Sequence, residues 1–325
     1  MNKETRRTAL ACLAACALGA TLGTAQAADP SWPTRPVRLL VGFPGGSTPD
    51  MAARALADPL GRVLGQPVIV ENKPGASGNI AADQVAKATD DHTLGVVING
   101  NLTSAKLLNP KLSYDPQKDF AEISLLATAP LVLVAAPQLP DGAAFFAAMR
   151  QAGAKANYGS VGAGSVAHLG MELLKSRSGI APVHVPYSGN PAVVTAIIGE
   201  QVQMALVPPG VAMPQVQAGK LKAIGVTSGR SALVPSVAPL ADAGVKDFNL
   251  EVWTALVGPA GLSKAAQARL AAEVPRILRE PETRTRLLNQ GWQAVGTSSE
   301  GLHQRVKEEA ALLGAIIRAQ NISVD

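Results

Sequence analysis

Short β-branched runs alternate with helix-patterned stretches from Val37 to Val226, and that alternation admits few folds. Val37-Val41 reads as a strand, followed by a glycine turn and a helix from Pro49 to about Leu64. Val68-Glu71 and Leu94-Ile98 read as strands, each followed by a helix, from about Asn79 to Ala88 and from about Leu102. The scheme repeats with strands at Asn157-Gly159, His184-Val185, Val202-Val207 and Leu221-Val226. Helices are expected up to about Ser176, from Pro191 and from Val211. Strand–helix alternation calls for parallel pairing through right-handed crossovers, hence an α/β protein with mostly parallel sheets flanked by helices.

Two segments break the rhythm. Ile123 to Ala136 is nearly continuous apolar chain, long enough to leave one sheet and enter another, and Val252 to Val257 reads as the return. Beyond it the pattern is purely helical: Ser263-Leu278, Pro281-Leu288 and Ser299-Ala319. The expected organisation is therefore two lobes hinged at these crossings. Residues 28–128 plus 252–325 form the first lobe, and 129–251 are inserted as the second. No repeat of solenoid length is present.

Residues 1–27 read as an address. Lys3, Arg6 and Arg7 precede an apolar run from Thr8 to Leu22 and a small-x-small site at Ala25-Gln26-Ala27, predicting a signal peptide cleaved after Ala27. Thr5-Arg6-Arg7 leaves the choice of general or twin-arginine export open. Leu13-Ala14-Ala15-Cys16 has the look of a lipobox, but the apolar run continues past Cys16, so lipid anchoring there is not expected. Both cysteines, Cys12 and Cys16, fall in this segment, leaving the mature chain without a thiol nucleophile, disulfide or cysteine metal site. Losing Lys3, Arg6, Arg7 and Glu4 lowers the net charge of +5 by two. The remaining basic residues are scattered, apart from Arg276 to Arg286 on an expected surface helix, so nucleic acid is not an expected partner. Aromatic residues make up only 3% of the chain, which disfavours ligands that need stacking platforms.

Glycine-rich turns between a strand end and a helix start carry the functional signal, because open α/β sheets bind ligands in the crevice beyond the strand C-termini. The first runs from Gly42 to Asp50, with Thr48 as the expected N-cap and Pro49 opening the helix. Gly45 and Gly46 let backbone N–H groups turn outward at a helix end that carries partial positive charge, a ready anion site. The second runs from Tyr158 to Ser165, with Ser165 as N-cap and His168 in the first helical turn. Tyr187-Ser188-Gly189-Asn190-Pro191 is the third. Each alone is ordinary connection chemistry. Together, one in the first lobe and two in the second, they point to an anion gripped from both sides. Asp50 would repel that anion if it pointed inward, and is expected to fix its own loop.

Enzyme readings fail on specific residues. Gly162-Ala163-Gly164-Ser165-Val166-Ala167 matches a dinucleotide fingerprint, but no acid stands at the end of the next strand, among His184-Val185-Pro186-Tyr187. The chain has no nucleophile elbow, Walker lysine or zinc-protease motif, and His92, His184 and His303 show no metal-ligand spacing. No catalysis, cofactor or metal is expected.

Several motifs in order resemble one family: Trp32 to Arg38, the Phe43-Pro44 glycine loop ending in Asp50, Val70 to Asn79, Tyr114-Asp115-Pro116 with Lys118-Asp119-Phe120, His184 to Gly189, and Ala218 to Leu221. Over essentially the whole mature length the chain resembles periplasmic substrate-binding receptors of the tripartite tricarboxylate transporter, the Bug family. That resemblance implies a two-lobed, type II-like periplasmic binding protein, a Venus flytrap, which passes a small organic carboxylate to membrane permease subunits. It implies a periplasmic, monomeric protein. By motif it assigns ligand binding to Phe43, Gly46, Ser47, Thr48 and Asp50 in the first loop, and to Asn101 and Thr103 in a second. In the inserted lobe it assigns Ser160, Gly164, Ser165, His168, Tyr187, Ser188 and Gly189. The segment Gln203 to Pro209 departs from the family in carrying no acid, which argues against amino acids as ligands. The same fold could instead present ligand to a membrane sensor. A permease or a sensor kinase encoded beside it would separate the two.

Overall fold

The computed structural model describes residues 32–246 and 248–322, so the expected signal segment with Cys12 and Cys16 lies outside the described residues. In chain order the first elements are β1 (Val37–Val41), α1 (Thr48–Leu64), β2 (Val68–Asn72), α2 (Asn79–Ala86), β3 (Thr93–Ile98), α3 (Asn99–Leu102), α4 (Ser104–Leu108) and β4 (Phe120–Pro130). Next come β5 (Val132–Ala135), α5 (Gly142–Ala152), β6 (Asn157–Ser160), α6 (Val166–Ser178), β7 (Val183–Pro186), α7 (Asn190–Ile198), β8 (Met204–Val207), α8 (Pro209–Gln217) and β9 (Lys222–Val226). The chain closes with β10 (Glu251–Pro259), α9 (Lys264–Arg279), α10 (Pro281–Asn289), β11 (Gln293–Ala294) and α11 (Ser299–Ala319).

The strands form two sheets, ordered β11-β4-β10-β3-β1-β2 and β7-β6-β8-β5-β9. Both are mixed rather than mostly parallel. β1 pairs in parallel with β2 and β3, and β6 with β7 and β8, as crossover helices require. The strands that carry the chain between sheets run the other way: β10 is antiparallel to β3 and β4, and β5 to β8 and β9. A long strand entering from the opposite lobe is free of the crossover constraint, and the repeating pattern of the other elements gives no hint of its direction.

Local chemistry explains the helices that flank the site. In α1, Pro49 sits in the first turn and Gly65 ends the helix in the left-handed conformation, its N–H bonded to Gly61 O. Ala52, Ala53, Leu56 and Leu60 make a buried stripe against the first sheet. Each fully buried leucine contributes about 1.5–3 kcal/mol. β3 is buried along its full length, which suits a strand covered on both faces.

The chain leaves the first sheet at Leu131, between β4 and β5, and returns between β9 and β10. Val252-Val257 lies inside β10, so the return falls before it. Thr227 joins the two passages. Its N–H donates to Leu131 O at 2.9 Å, and its hydroxyl accepts from Leu131 N at 2.9 Å and donates to Leu250 O at 2.6 Å. α11 spans both halves: Leu302 and Val306 pack with Trp253 and Leu125, whereas Leu313, Ile316 and Ile317 pack with Leu169 and Leu174 of α6.

Candidate functional site

The loops at the C-terminal ends of the two sheets face each other, and they touch. Asn190 Nδ2 donates to Thr48 Oγ1 at 2.9 Å, Ser104 Oγ to Gly164 O at 2.6 Å, and Ser77 Oγ to Ala163 O at 3.2 Å. Between these contacts lie two cavities. One, of about 270 Å³, is lined by Gly42, Phe43, Gly75 to Gly78, Val161 to Ala163, and Pro186 to Ser188. The other, of about 190 Å³, is lined by Ala76, Ser77, Asn79, Ile98, Gly100, Asn101, Ala105, Leu108, Asn109 and Ala163 to Ser165. No ionisable acid or base lines either one except through Tyr187. Recognition there falls to hydroxyls, amides and backbone groups.

Ser47, not Thr48, holds the N-cap position of α1, and its side chain makes no cap bond. The shift by one residue frees the Thr48 hydroxyl to accept from Asn190 across the cleft. Ser47 is 1% exposed and its Oγ has no hydrogen-bond partner, an arrangement that costs about 1–3 kcal/mol unless another group completes it. Ser165 caps α6 as expected, accepting from His168 N at 3.2 Å.

Phe43, Asn101, Gly164, Ser165, Tyr187 and Ser188 line the cavities, among the residues assigned from sequence. Several others stand behind the lining and hold it. Asp50 accepts from Gly46 N at 2.9 Å, Asn72 Nδ2 at 2.9 Å and Arg54 Nε at 3.0 Å. Burial works against its charge, but the bonds from Arg54, Asn72 and Gly46 outweigh it and keep the carboxyl below its ordinary range. Asp50 thus clamps the first glycine loop from inside, and Gly46 takes φ of 76°, which only glycine adopts without strain. Asn101 spends its whole amide on support: Oδ1 accepts from Ile98 N at 3.2 Å, while Nδ2 donates to Ser77 O at 3.0 Å and Asn79 Oδ1 at 2.8 Å. Thr103 lines neither cavity. Its hydroxyl bonds to Asn99 O at 2.7 Å, and it faces a groove between α4 and α11, because α3 begins earlier than expected and rotates it away.

His168 and Ser160 also act as supports. His168 Nδ1 accepts from Gly164 N at 3.1 Å, and its ring stacks on His184 at 4.2 Å. Ser160 Oγ lies 2.7 Å from His184 Nε2 and 3.1 Å from Gly162 N. Burial, then the neighbouring His168, push the His184 imidazole down to about 4, and burial lowers His168 as well. Two neutral imidazoles therefore brace the loop from 160 to 165. Gly189 is the extended N-cap of α7 and lies against Pro44.

Sequence reasoning passed over the loop from 75 to 78 as a site, although its motif was visible. Gly75, Ala76, Ser77 and Gly78 all have positive φ, at 135°, 47°, 56° and 88°. Among the described residues no group of three His, Cys, Asp or Glu side chains is arranged to hold a metal, and no helix is long and apolar enough to cross a membrane.

The family described as tripartite tricarboxylate transporter family receptor matches residues 52–322. A UPF0065 protein of Bordetella pertussis is 32% identical over 294 residues, covering 89% of this chain and 90% of that one. Among solved structures, MatC from Rhodopseudomonas palustris with bound malate has a TM-score of 0.83 and 33% identity, covering 88% of this chain and all (100%) of that one. Rpa4515 of R. palustris with adipate has a TM-score of 0.86 and 28% identity, covering 90% and 99% respectively.

Proposed function

The chain belongs to the tripartite tricarboxylate transporter family of receptors, and on that premise we propose that it captures a small organic carboxylate between two lobes and delivers it to membrane permease subunits. It acts in the periplasm as a monomer after cleavage behind Ala27. The first lobe comprises residues 28–128 and 252–325 and the second 129–251, hinged where Thr227 joins both passages. The observation that carries the reading is the convergence of helix starts from the two halves on one uncharged cleft. α1 brings an uncapped first turn and the unpartnered Ser47 hydroxyl, and α6 and α7 begin on the opposite side. Such ends favour a negative group and disfavour a positive one.

Phe43, Tyr187 and Ser188 line the larger cavity and Gly164 and Ser165 the smaller, and Ser47 with backbone groups of Gly46 and Thr48 offers hydrogen bonds to a carboxylate held in the cleft. Asp50, Asn101, Ser160, His168 and Gly189 hold those groups in place. The malate and adipate bound by the two relatives are both dicarboxylic acids, in keeping with this chemistry. Charge-assisted hydrogen bonds contribute roughly 1.5–3 kcal/mol each. After the cost of ordering the ligand and closing the lobes, about 8 kcal/mol is left, a micromolar Kd. A thermal-shift panel of di- and tricarboxylates, aromatic acids, amines and sugars tests the class. A raised melting temperature with at least one acid is expected; stabilisation by amines or sugars alone contradicts it.

A further inference from the structure

Ser77 stands at the partition between the two cavities. Both are lined by Ala76, Ser77 and Ala163, and the Ser77 hydroxyl bonds to Ala163 O at 3.2 Å where they meet. On the far wall, a Cβ on Gly162 would collide with Ser77 Oγ, so the side chain packs directly against that wall. The loop keeps Ser77 there at φ of 56° and ψ of 33°, a left-handed conformation unfavourable for serine. The Asn101 amide bonded to Ser77 O holds it in place. Cavities of about 270 and 190 Å³ are each smaller than the roughly 300–1,000 Å³ usual for small-molecule sites; joined, they fall within it.

Resting on the carboxylate reading above, we propose that Ser77 is a length gate: it confines the ligand to one cavity and so selects short dicarboxylates over longer ones. A chain of succinate size fits one side of the partition. An adipate-sized chain must pass between Ser77 and Ala163, and in a closed cleft the hydroxyl and Cβ of Ser77 obstruct it. One methylene too many in a fitted pocket changes selectivity by about 10- to 200-fold. Glycine at this position adopts the same backbone without strain, so Ser77→Gly opens the passage while leaving the loop folded.

The test is calorimetric titration of malonate, succinate, glutarate, adipate and pimelate into wild type, Ser77→Ala and Ser77→Gly. Wild type should bind malonate or succinate best. Ser77→Gly should raise the adipate-to-succinate affinity ratio by about tenfold or more, with Ser77→Ala between them. If Ser77 only clasped the lobes, both variants would lose affinity for every acid equally and the ratio would stay fixed, which overturns the gate but leaves the carboxylate reading intact. A wild-type preference for adipate or pimelate overturns the gate in the same way. Failure of all five acids with both folded wild type and Ser77→Gly overturns this inference together with the dicarboxylate class beneath it.

Discussion

The side-chain amide of Asn190 donates to the hydroxyl of Thr48 at 2.9 Å, fastening the first turn of α7 to the first turn of α1. Both residues are buried, at 8% and 2% exposure. The bond therefore exists only while the two glycine-loop walls face each other, and on the proposed two-lobe reading it belongs to the closed form. A ligand shifts an open–closed balance only by its differential affinity for the two states, so groups that hold the closed form set how much of the binding energy is realised.

Asn190→Ala should weaken ligand affinity by about tenfold. It leaves the Thr48 hydroxyl buried without its partner, at a cost of about 1–3 kcal/mol charged to the closed form. The melting temperature without ligand should move little. Calorimetry with the best ligand of the panel checks it; affinity within twofold of wild type would mean that the bond does not contribute to closure.

Gly210→Ala tests closure without touching a cavity. The first turn of α8 meets the turn after α10 backbone to backbone: a Cβ on Gly210 would run into the Gln290 carbonyl, and Gly291, at φ of 77°, approaches equally closely from the other side. Alanine suits a helix start, so the fold should persist, but the two segments cannot approach as they do. Weaker binding is expected, with a larger radius of gyration in saturating ligand than wild type by small-angle scattering. Wild-type values for both would show that this contact is dispensable for closing.

The imidazole of His184, held down to about 4, titrates near 6.5 in the unfolded chain. Its folded pKa is depressed, so the unfolded chain takes up the proton first as pH falls. Stability from this group is complete above about 6.5 and is lost as pH falls toward 4. His184→Gln keeps a polar partner for Ser160 and removes the proton. Urea unfolding at pH 7.5 and 5 should show wild type losing about 1–2 kcal/mol more than the variant. Equal losses would contradict the half-buried, neutral state of this ring.

Glu309 gives the opposite slope. Burial raises its carboxyl to about 7, against the bonds from Trp253 Nε1 at 2.5 Å and Asn99 Nδ2 at 2.7 Å and the charge of Arg305. Its folded pKa lies above the unfolded 4.5, so its contribution is full below about 4.5 and is lost as pH rises through 7. Glu309→Gln should match wild type near pH 4.5 and exceed it at pH 8 by on the order of 2 kcal/mol. A variant less stable at pH 8 would show that the charged carboxylate is well accommodated there.

What was legible in the sequence was what is written locally. The β-branched runs and the cap Ser165 specify strands and a helix start through residues only a few positions apart. The resemblance carried the family. Direction and partnership of the crossing strands were not legible, because β10 pairs with β3 and β4 from far along the chain. α5 has a signal that the reading left unused: Asp141 stands at its N-cap, and Phe145, Phe146 and Met149 are buried on one face. β11, two residues long, offers no pattern to read.

Within the candidate site, the motifs mark loops in the sequence, whereas the bonds that each residue makes come only from the structure. Asp50, Asn101 and His168 carry polar chemistry a ligand could use, yet it is spent on protein groups, that of Asp50 and His168 on their own loops and the Asn101 Nδ2 on Ser77 and Asn79, and only the three-dimensional bonds reveal that. Thr103 stands just after a four-residue helix, as its C-cap, and faces a groove away from the two cavities. Ser77 is the converse case. A serine between glycines reads as a turn, and its place at the partition depends on the opposite wall, 86 residues further along the chain.

Calorimetric titration of dicarboxylic acids beside their neutral diamides tests the central claim most directly, since each pair differs in charge while keeping its length. One-to-one micromolar binding of at least one acid, with its diamide bound at least a hundredfold more weakly, is the result expected of a cleft built from helix starts and an unpartnered hydroxyl. Equal affinity for an acid and its diamide, or binding of diamines where every acid fails, would contradict an anion site between the two sheets.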